Sequence, residues 1–152
     1  MNELVPKENK KAYEYLYILE SKLRGLIVEI LSKKSEKQNL SGWTTLIQRD
    51  IIKKCEKRAD KEKTSHQSLG SDRIVDYLEF GDIKLIIQKN WDEFSRIFNN
   101  QGTIVSKLDE LELIRNVVAH NRVLSLQEFK RLEIYFLDTD KILSQKRLNV
   151  DS

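Results

Sequence analysis

The sequence predicts an all-α fold, an antiparallel bundle of about five helices, from three observations. Apolar residues recur every three to four positions along most of the chain, which is the period of an amphipathic helix. The 152 residues include one proline and five glycines, so few positions interrupt a helix. No stretch alternates apolar and polar residues over a useful strand length. We therefore assign residues 1–152 to a single domain with one core, whose tail is expected to fray from about residue 146.

The periodic segments predict where individual helices begin and what they bury. The first is expected from about Lys7 to Lys33, with Gly25 marking a close neighbour because glycine otherwise weakens a helix. Ser41 is expected to cap the second helix and Asp82 the third main helix. Capping-box spacing predicts the starts of the last two helices, from Ser106 with Asp109 and from Ser125 with Glu128. Expected core residues include Leu16, Leu23, Ile27, Ile51, Ile86, Phe94, Leu111 and Leu132.

Composition narrows the classes of function. A net charge of +3 and a pI near 8.9 permit nucleic-acid binding but fall short of a basic tail or arm. The single cysteine, Cys55, excludes a disulfide within the chain, and with two histidines it cannot complete a structural zinc site. The first residues lack the apolar centre of a signal peptide, and no apolar run reaches the roughly 20 residues that span a bilayer. We expect a reduced, cytoplasmic protein with no membrane partner.

The predicted second helix carries a basic face. Its cationic residues are Arg49, Lys53, Lys54, Lys57 and Arg58. Two interpretations stay open, since such a face can be a solvated surface or a patch that contacts phosphates. The polar stretch that follows, residues 60–71, is expected to be a loop, and its His66 is given no role.

The most informative stretch is LDELELIRNVVAHNR, residues 108–122. At about 100° per residue, its apolar side chains share one helix face. Arg115 falls close to the middle of that face. Because an isolated buried charge is very costly, Arg115 must pair with a carboxylate, extend its charged end to water, or face an open cleft or a subunit seam.

His120 follows Arg115 by five residues, about 140° round an ideal helix and about 7.5 Å along it. The two side chains therefore do not stack as residues four apart would. They could meet if the helix loosens near Asn121, or across a two-fold axis where each protomer supplies one arginine and one histidine. In a simpler interpretation, Arg115 is an ion pair at the core edge and His120 a favourable charge at a helix C-terminus.

The segment Arg115-Asn116-Val117-Val118-Ala119-His120 resembles the R-x(4–6)-H motif of HEPN domains (higher eukaryotes and prokaryotes nucleotide-binding). The upstream run DYLEFGDIKLIIQKNW, residues 76–91, is similar to the segment that precedes the motif in one branch of that superfamily. The resemblance extends from about residue 76 to 129 and is weaker over the first helices. Some toxin branches carry a tyrosine two residues after the histidine; this chain has Arg122 there, so that tyrosine's role is not transferred.

The resemblance implies a small helical bundle that forms a homodimer and acts as a metal-independent endoribonuclease, without cofactor. His120 would transfer a proton at the ribose 2′-hydroxyl or the leaving oxygen, because imidazole exchanges protons near neutral pH. Arg115 would hold the scissile phosphate and offset transition-state charge. Asn116 would orient one of them or the substrate, and Arg122 would add a phosphate contact. The setting implied is a toxin or antiviral defence system, with RNA as substrate and a cognate antitoxin or regulatory protein as a further partner.

Two other functions remain open from the sequence. The first is a non-catalytic HEPN module that binds RNA, nucleotide or a partner protein, which the mild charge and short chain also allow. The second is a helical adaptor that binds no nucleic acid. The position of Arg115 and His120 in an oligomer would discriminate best among the three.

Overall fold

The computed structural model describes residues 7–62 and 71–151, with side-chain environments for 7–62 and 73–145. These ranges are helical and contain no strand, which confirms the predicted fold class. In chain order the helices are α1 (Lys7–Lys37), α2 (Arg49–Glu62), α3 (Ser71–Ile74), α4 (Phe80–Lys89), α5 (Trp91–Phe94), α6 (Gln101–Ala119) and α7 (Leu126–Asp151), with 3-10 turns at Trp43–Leu46 and Val75–Tyr77. Five of the helices described have ten residues or more, as predicted. His66 lies outside the described residues, and so does most of the loop predicted around it.

Helix α6 lies between α4 and α7 and runs antiparallel to both. Lys84 of α4 pairs with Asp109 at 2.8 Å, whereas Glu79, which directly precedes α4, pairs with Arg115, further along α6. On the other side, Lys107 near the start of α6 pairs with a late residue of α7, Asp138, at 3.4 Å. Ion pairs therefore connect α6 to a neighbouring helix on each of two sides.

Helix α1 covers α6 and runs parallel to α7. Its Tyr15 hydroxyl donates to Glu133 at 3.3 Å. Further along both helices, Lys22 of α1 pairs with Asp140 of α7. The Tyr15 ring also packs on Phe136 with ring centroids 4.6 Å apart. The start of α1 thus lies beside the loop that joins α6 to α7.

One continuous apolar core fills the space between these helices. The predicted core positions are buried, including Leu23, Ile27, Ile51, Ile86, Phe94, Leu111 and Leu132. The apolar face of α6 is buried as expected, with Leu108, Leu111 and Ile114 at most 3% exposed. No helix in the described residues is long and apolar enough to cross a bilayer.

The predicted third main helix is broken at Asn90. This buried residue has φ −110° and ends α4, and α5 starts directly after it. Its side-chain amide donates to the carbonyl oxygens of Leu46 and Ile86 and accepts a hydrogen bond from Lys34. The apolar stripe runs on through Phe94 and Phe98, because both sides of the break pack on the same core. The three hydrogen bonds of the Asn90 side chain explain why the helix ends at this residue.

Several predicted helix starts were wrong. Gly42, not Ser41, precedes the first 3-10 turn, and α2 begins only at Arg49. Asp82 is the third residue of α4; Glu79 is the N-cap, and the two carboxylates form a reciprocal capping box. Ser106 lies inside α6, whose N-cap is Asn100, with its side chain accepting from the backbone of Thr103 at 2.9 Å.

The predicted capping box at the start of α7 is confirmed. Ser125 Oγ accepts from the backbone N–H of Glu128 at 3.1 Å, and Glu128 Oε1 accepts from the backbone N–H of Ser125 at 2.9 Å. The helix then continues to Asp151. These two hydrogen bonds satisfy backbone N–H groups that have no partner within the helix, and they fix the direction in which α7 leaves the preceding loop.

Gly25 has no close neighbour, contrary to the prediction from sequence. It is exposed in the middle of α1, and a Cβ atom built there would meet nothing within 4 Å. We therefore expect Gly25→Ala to raise the free energy of unfolding by about 0.5–1 kcal/mol, since alanine loses less conformational freedom in a helix. Urea unfolding of both proteins measures the change. An unchanged or lower value would contradict the open environment found here.

Candidate active site

The C-terminus of α6 ends in a Schellman motif that fixes the position of His120. His120 is the C-cap, and Asn121 adopts the left-handed conformation with φ 57°. The backbone N–H of Arg122 donates to Val117 at 2.9 Å and that of Asn121 to Val118 at 3.1 Å, the two bonds that define the motif. Asparagine tolerates this conformation better than most residues. His120 is therefore exposed, and it lies in a turn of fixed backbone conformation at which the helix ends.

Asn9 of α1 ties down the segment that follows His120. Its side-chain nitrogen donates to the carbonyl oxygen of Arg122 at 2.7 Å, and its oxygen accepts from the backbone N–H of Leu124 at 3.1 Å. Asn9 is 5% exposed. Asn9 was not predicted from the sequence, although an asparagine three residues before Ala12 on a buried stripe is a detectable anomaly.

Arg115 lies at the core edge and is held by two carboxylates of the same chain. One terminal nitrogen is 3.3 Å from Glu79, and Nε is 4.0 Å from Glu20. Its side chain remains 34% exposed. Pairing with a carboxylate was one of the three arrangements expected for this guanidinium, and the structure shows two such partners at positions that sequence spacing could not identify.

These contacts belong to a wider charged network under the end of α6. Glu79 also contacts Arg58 at 3.4 Å, and Arg58 in turn binds the buried Asp82. Glu20 pairs with Arg24 at 2.7 Å, and Arg24 donates twice to the carbonyl oxygen of Leu78. Arg115 is thus set in an electrostatically balanced surface that links α1, α2, α4 and α6.

Glu20 is a partly buried carboxyl group of this network. Burial raises its pKa above the ordinary value of 4.5, and the charges of Arg24 and Arg115 oppose the rise. A carboxyl group with a raised folded-state pKa contributes stability fully below its unfolded pKa and loses that contribution as pH rises through the folded value. Ionised Glu20 therefore weakens the fold relative to a neutral side chain.

We expect Glu20→Gln to gain stability relative to the wild type as pH rises from about 4 to about 7, because glutamine cannot ionise. Urea unfolding at both pH values measures the difference. Glu14→Gln is the matched control, since Glu14 lies on the same helix with its side chain 63% exposed. Parallel stability curves for wild type and Glu20→Gln would contradict the expectation.

A cleft adjoins the network on the side away from α1. It has a volume of about 440 Å³ and lies between α2, the start of α4 and α6. Its cations are Lys54, Arg58 and Lys84, and its carboxylates are Glu79, Asp82, Asp109 and Glu112. The carboxylate of Glu112 lies over Gly81, where a Cβ atom would come within 2.8 Å of its oxygen. The mixed charge makes this cleft a poor phosphate site.

The predicted site residues lie at one end of α6 but are not all in contact. His120 and Arg122 are exposed, and Asn116 and Arg115 are partly buried. No hydrogen bond or ion pair among the described residues joins Arg115 to His120. Within a single chain, Arg115 and His120 therefore lie near the same end of α6 without a hydrogen bond or ion pair between them.

The basic face of α2 is mostly solvated. Arg49, Lys53, Lys54 and Lys57 are exposed, whereas Arg58 turns inward to Glu79 and Asp82. Arg58 was grouped with that face from sequence, and its half-buried position shows that it serves the network instead. The four exposed cations are compatible with either of the two interpretations left open.

Comparison with known families identifies the fold type. Residues 14–138 match the model described as Swt1-like HEPN. The chain belongs to the Swt1-like HEPN family. The match covers most of α1 and reaches into α7, so the HEPN unit includes the first helices, where the resemblance seen in the sequence was weak. No curated protein and no solved structure gave a significant match.

Membership in the HEPN family indicates a coarse class of function for this chain. HEPN domains generally include ribonucleases and nucleotide-binding modules, and they commonly dimerise. In this HEPN chain the R-x(4)-H segment is placed where ligand can reach it, at an exposed helix end beside a partly exposed arginine. The family therefore indicates a ribonuclease-type or nucleotide-binding function.

Proposed function

We propose that this protein is a metal-independent endoribonuclease whose site combines Arg115 and His120 from two copies of the chain. The observation that carries the proposal is the accessibility of the motif at the end of α6 in a HEPN domain. His120, exposed and fixed by its backbone turn, takes the proton from the ribose 2′-hydroxyl or gives one to the leaving oxygen. Arg115 binds the phosphate, and Asn116 orients substrate. Arg122, exposed beside the site, adds a phosphate contact.

In this reaction the 2′-oxygen attacks the adjacent phosphorus as the bond to the 5′-oxygen breaks. The products are a 2′,3′-cyclic phosphate and a 5′-hydroxyl end, so no water or metal enters the first step. The protein supplies proton transfer and a fixed positive charge, two contributions that lower the barrier independently.

A composite site explains why the two groups do not meet within one chain. Val123 and Leu126 follow His120 closely and are 66% and 63% exposed. Adjacent exposed apolar side chains are typical of surfaces that another protein covers. We infer that these residues belong to a two-fold seam that brings His120 of one copy towards Arg115 of the other.

Cleavage should be tested with single-stranded and structured RNA in EDTA. We expect products with cyclic phosphate ends, and we expect resistance when the nucleotide at the cleaved position lacks its 2′-hydroxyl. Binding of these RNAs without cleavage would contradict catalysis and support the second candidate. Neither binding nor cleavage would contradict both.

Mixing two inactive variants tests the composite site directly. Arg115→Ala and His120→Ala are each expected to be inactive alone. A heterodimer of the two keeps one intact Arg/His pair, so an equal mixture should recover about a quarter of wild-type activity. Recovery contradicts a site contained in one chain, and no recovery after demonstrated subunit exchange contradicts the composite site. Val123→Asp should separate the dimer, which light scattering would detect.

A second candidate is a non-catalytic HEPN module that binds RNA, nucleotide or a partner protein. The observation that favours it is the pairing of Arg115 with Glu79 and Glu20 in the single chain. A phosphate must compete with these carboxylates for the guanidinium. RNA affinity that is unaffected by Arg115→Ala, with no cleavage by the wild type, would favour this candidate.

The biological setting proposed is a toxin or an antiviral defence ribonuclease that is controlled by a cognate antitoxin or regulatory protein. It rests on the resemblance of the segment Arg115–His120, in its sequence context, to the HEPN motif. Induced expression of the wild type should arrest cell growth, whereas His120→Ala expressed to the same level should not. Equal toxicity of both proteins would contradict a catalytic toxin.

A further inference from the structure

Two tyrosines on α1 are the exposed aromatic residues of this protein. All twelve aromatic residues lie in the described part of the chain, and the other ten are buried or partly buried. Tyr13 and Tyr17 are 63% and 64% exposed. Within the described residues neither ring makes a hydrogen bond, an ion pair or a ring contact. Core packing therefore does not account for them.

Their position on α1 is fixed by two contacts to the candidate site. Asn9, Tyr13, Tyr17 and Glu20 succeed one another at spacings of four, four and three residues, so they form one row along the helix. At one end of the row Asn9 binds Arg122 and Leu124, and at the other Glu20 reaches Arg115. The row is about 16 Å long. The two rings thus stand alongside the last turn of α6, which ends in His120.

The charges beside the rings suit a phosphate backbone. Lys10 is exposed and precedes Tyr13 by three residues on the same side of α1. Arg122 is exposed at the Asn9 end of the row, and Arg115 is partly exposed at the other end. The nearby carboxylates of Glu20 and Glu79 are each paired with an arginine. Flat aromatic faces with cations on both sides are the arrangement that binds unpaired nucleotides.

We propose that Tyr13 and Tyr17 form a stacking platform for two unpaired bases of single-stranded RNA whose phosphate lies at Arg115. The inference rests on RNA being the ligand, as both functional candidates allow, but it does not require cleavage. Adjacent Cβ atoms in such a pair are about 5–6 Å apart, so each ring can hold one base of a locally extended strand. The platform gives affinity without reading sequence, because every base has an aromatic face.

Binding should be measured in the His120→Ala background, which keeps the RNA intact. Fluorescence anisotropy of a labelled single strand in EDTA reports the Kd. We expect Tyr13→Ala and Tyr17→Ala each to weaken binding by about 5- to 150-fold, the loss measured for single stacked bases. Tyr13→Phe and Tyr17→Phe should restore most of the affinity, because they keep the ring. Leu137→Ala, which removes a 60% exposed side chain on α7, should leave it unchanged.

Two further measurements identify what covers the rings. In the first, RNA carrying 5-iodouridine should crosslink under light to the peptide that contains Tyr13 and Tyr17. In the second, the affinity for a fully paired duplex should be the same whether or not either tyrosine is replaced. Affinity that is unchanged in the alanine variants overturns the platform while leaving RNA binding intact. Absence of RNA binding by the parent chain overturns the platform together with the proposed function. Loss of the dimer when Tyr13→Ala and Tyr17→Ala are combined in one chain overturns the platform in favour of a seam between two copies.

Discussion

Replacing His120 by alanine is expected to lower the rate of RNA cleavage by about 10²–10⁴-fold, the contribution of one positioned acid or base. The effect should be large because His120 is exposed and no other histidine lies in the described residues. Its side chain makes no hydrogen bond or ion pair within the described residues, so we expect the change to affect cleavage without unfolding the protein. Cleavage rates at saturating RNA measure the chemical step.

The controls separate loss of catalysis from loss of fold. His66→Ala removes the chain's other histidine and should retain full activity. His120→Ala should keep the wild-type unfolding midpoint and RNA affinity, because the Schellman motif uses only backbone atoms of this residue. Wild-type cleavage by His120→Ala would exclude this residue as the proton carrier and would leave Arg115 without its proposed partner.

Replacing Asp82 by alanine is expected to lower the free energy of unfolding by about 3 kcal/mol, the largest effect on stability that we predict. Asp82 is 4% exposed and accepts hydrogen bonds from Arg58 and from the backbone N–H of Glu79. Burial alone would lower the pKa of Arg58, but the hydrogen bond and charge of Asp82 raise it. Removal of the carboxylate would leave a half-buried guanidinium with Glu79 as its one carboxylate partner among the described residues and the carbonyl oxygen of Tyr77 as its other acceptor. It would also remove one half of the capping box of α4.

Asp109→Ala is the matched control for Asp82→Ala. Asp109 also pairs with a basic residue, Lys84, at 2.8 Å, but its side chain is 52% exposed. We expect that change to cost less than about 0.5 kcal/mol, because water replaces an exposed partner. Chemical unfolding of both variants decides the comparison. Equal losses at the two positions would show that burial of the Asp82 pair has no energetic consequence.

The periodicity of the chain was sufficient to predict its helices and much of its core. The stripe of α6 and the isoleucines of α4 are buried as predicted, because burial of apolar surface requires one continuous face. The box formed by Ser125 and Glu128 was also predictable, since both partners lie within one turn. Local spacing sets such features.

Helix starts were predicted less well, because tertiary contacts choose among several capping residues. Asp82 has the composition of an N-cap, yet its contact with Arg58, 24 residues away, keeps it inside α4. Ser106 is a good cap by type, but Asn100 lies closer to the chain reversal and starts α6 earlier. The same local signal occurs in several places, and packing decides which one is used.

The candidate site was predictable only in part for the same reason. The spacing of Arg115 and His120 is a local pattern, and the need for a partner of Arg115 follows from the cost of a buried charge. The identity of those partners depends on contacts across 36 residues to Glu79 and 95 residues to Glu20. Asn9, 113 residues from Arg122, joins the site only because α1 folds back on α6.

The parallel course of α1 and α7 determines where a tag or label can be attached without lying close to the candidate site. Helix α7 begins six residues after His120 and contains 26 residues, so its far end is about 39 Å from the loop beside the site. Lys7, the first residue of α1, lies only two residues before Asn9. A purification tag, dye or surface linker attached near Lys7 would lie close to the site proposed to bind RNA, whereas the same attachment at the far end of α7 would lie far from it.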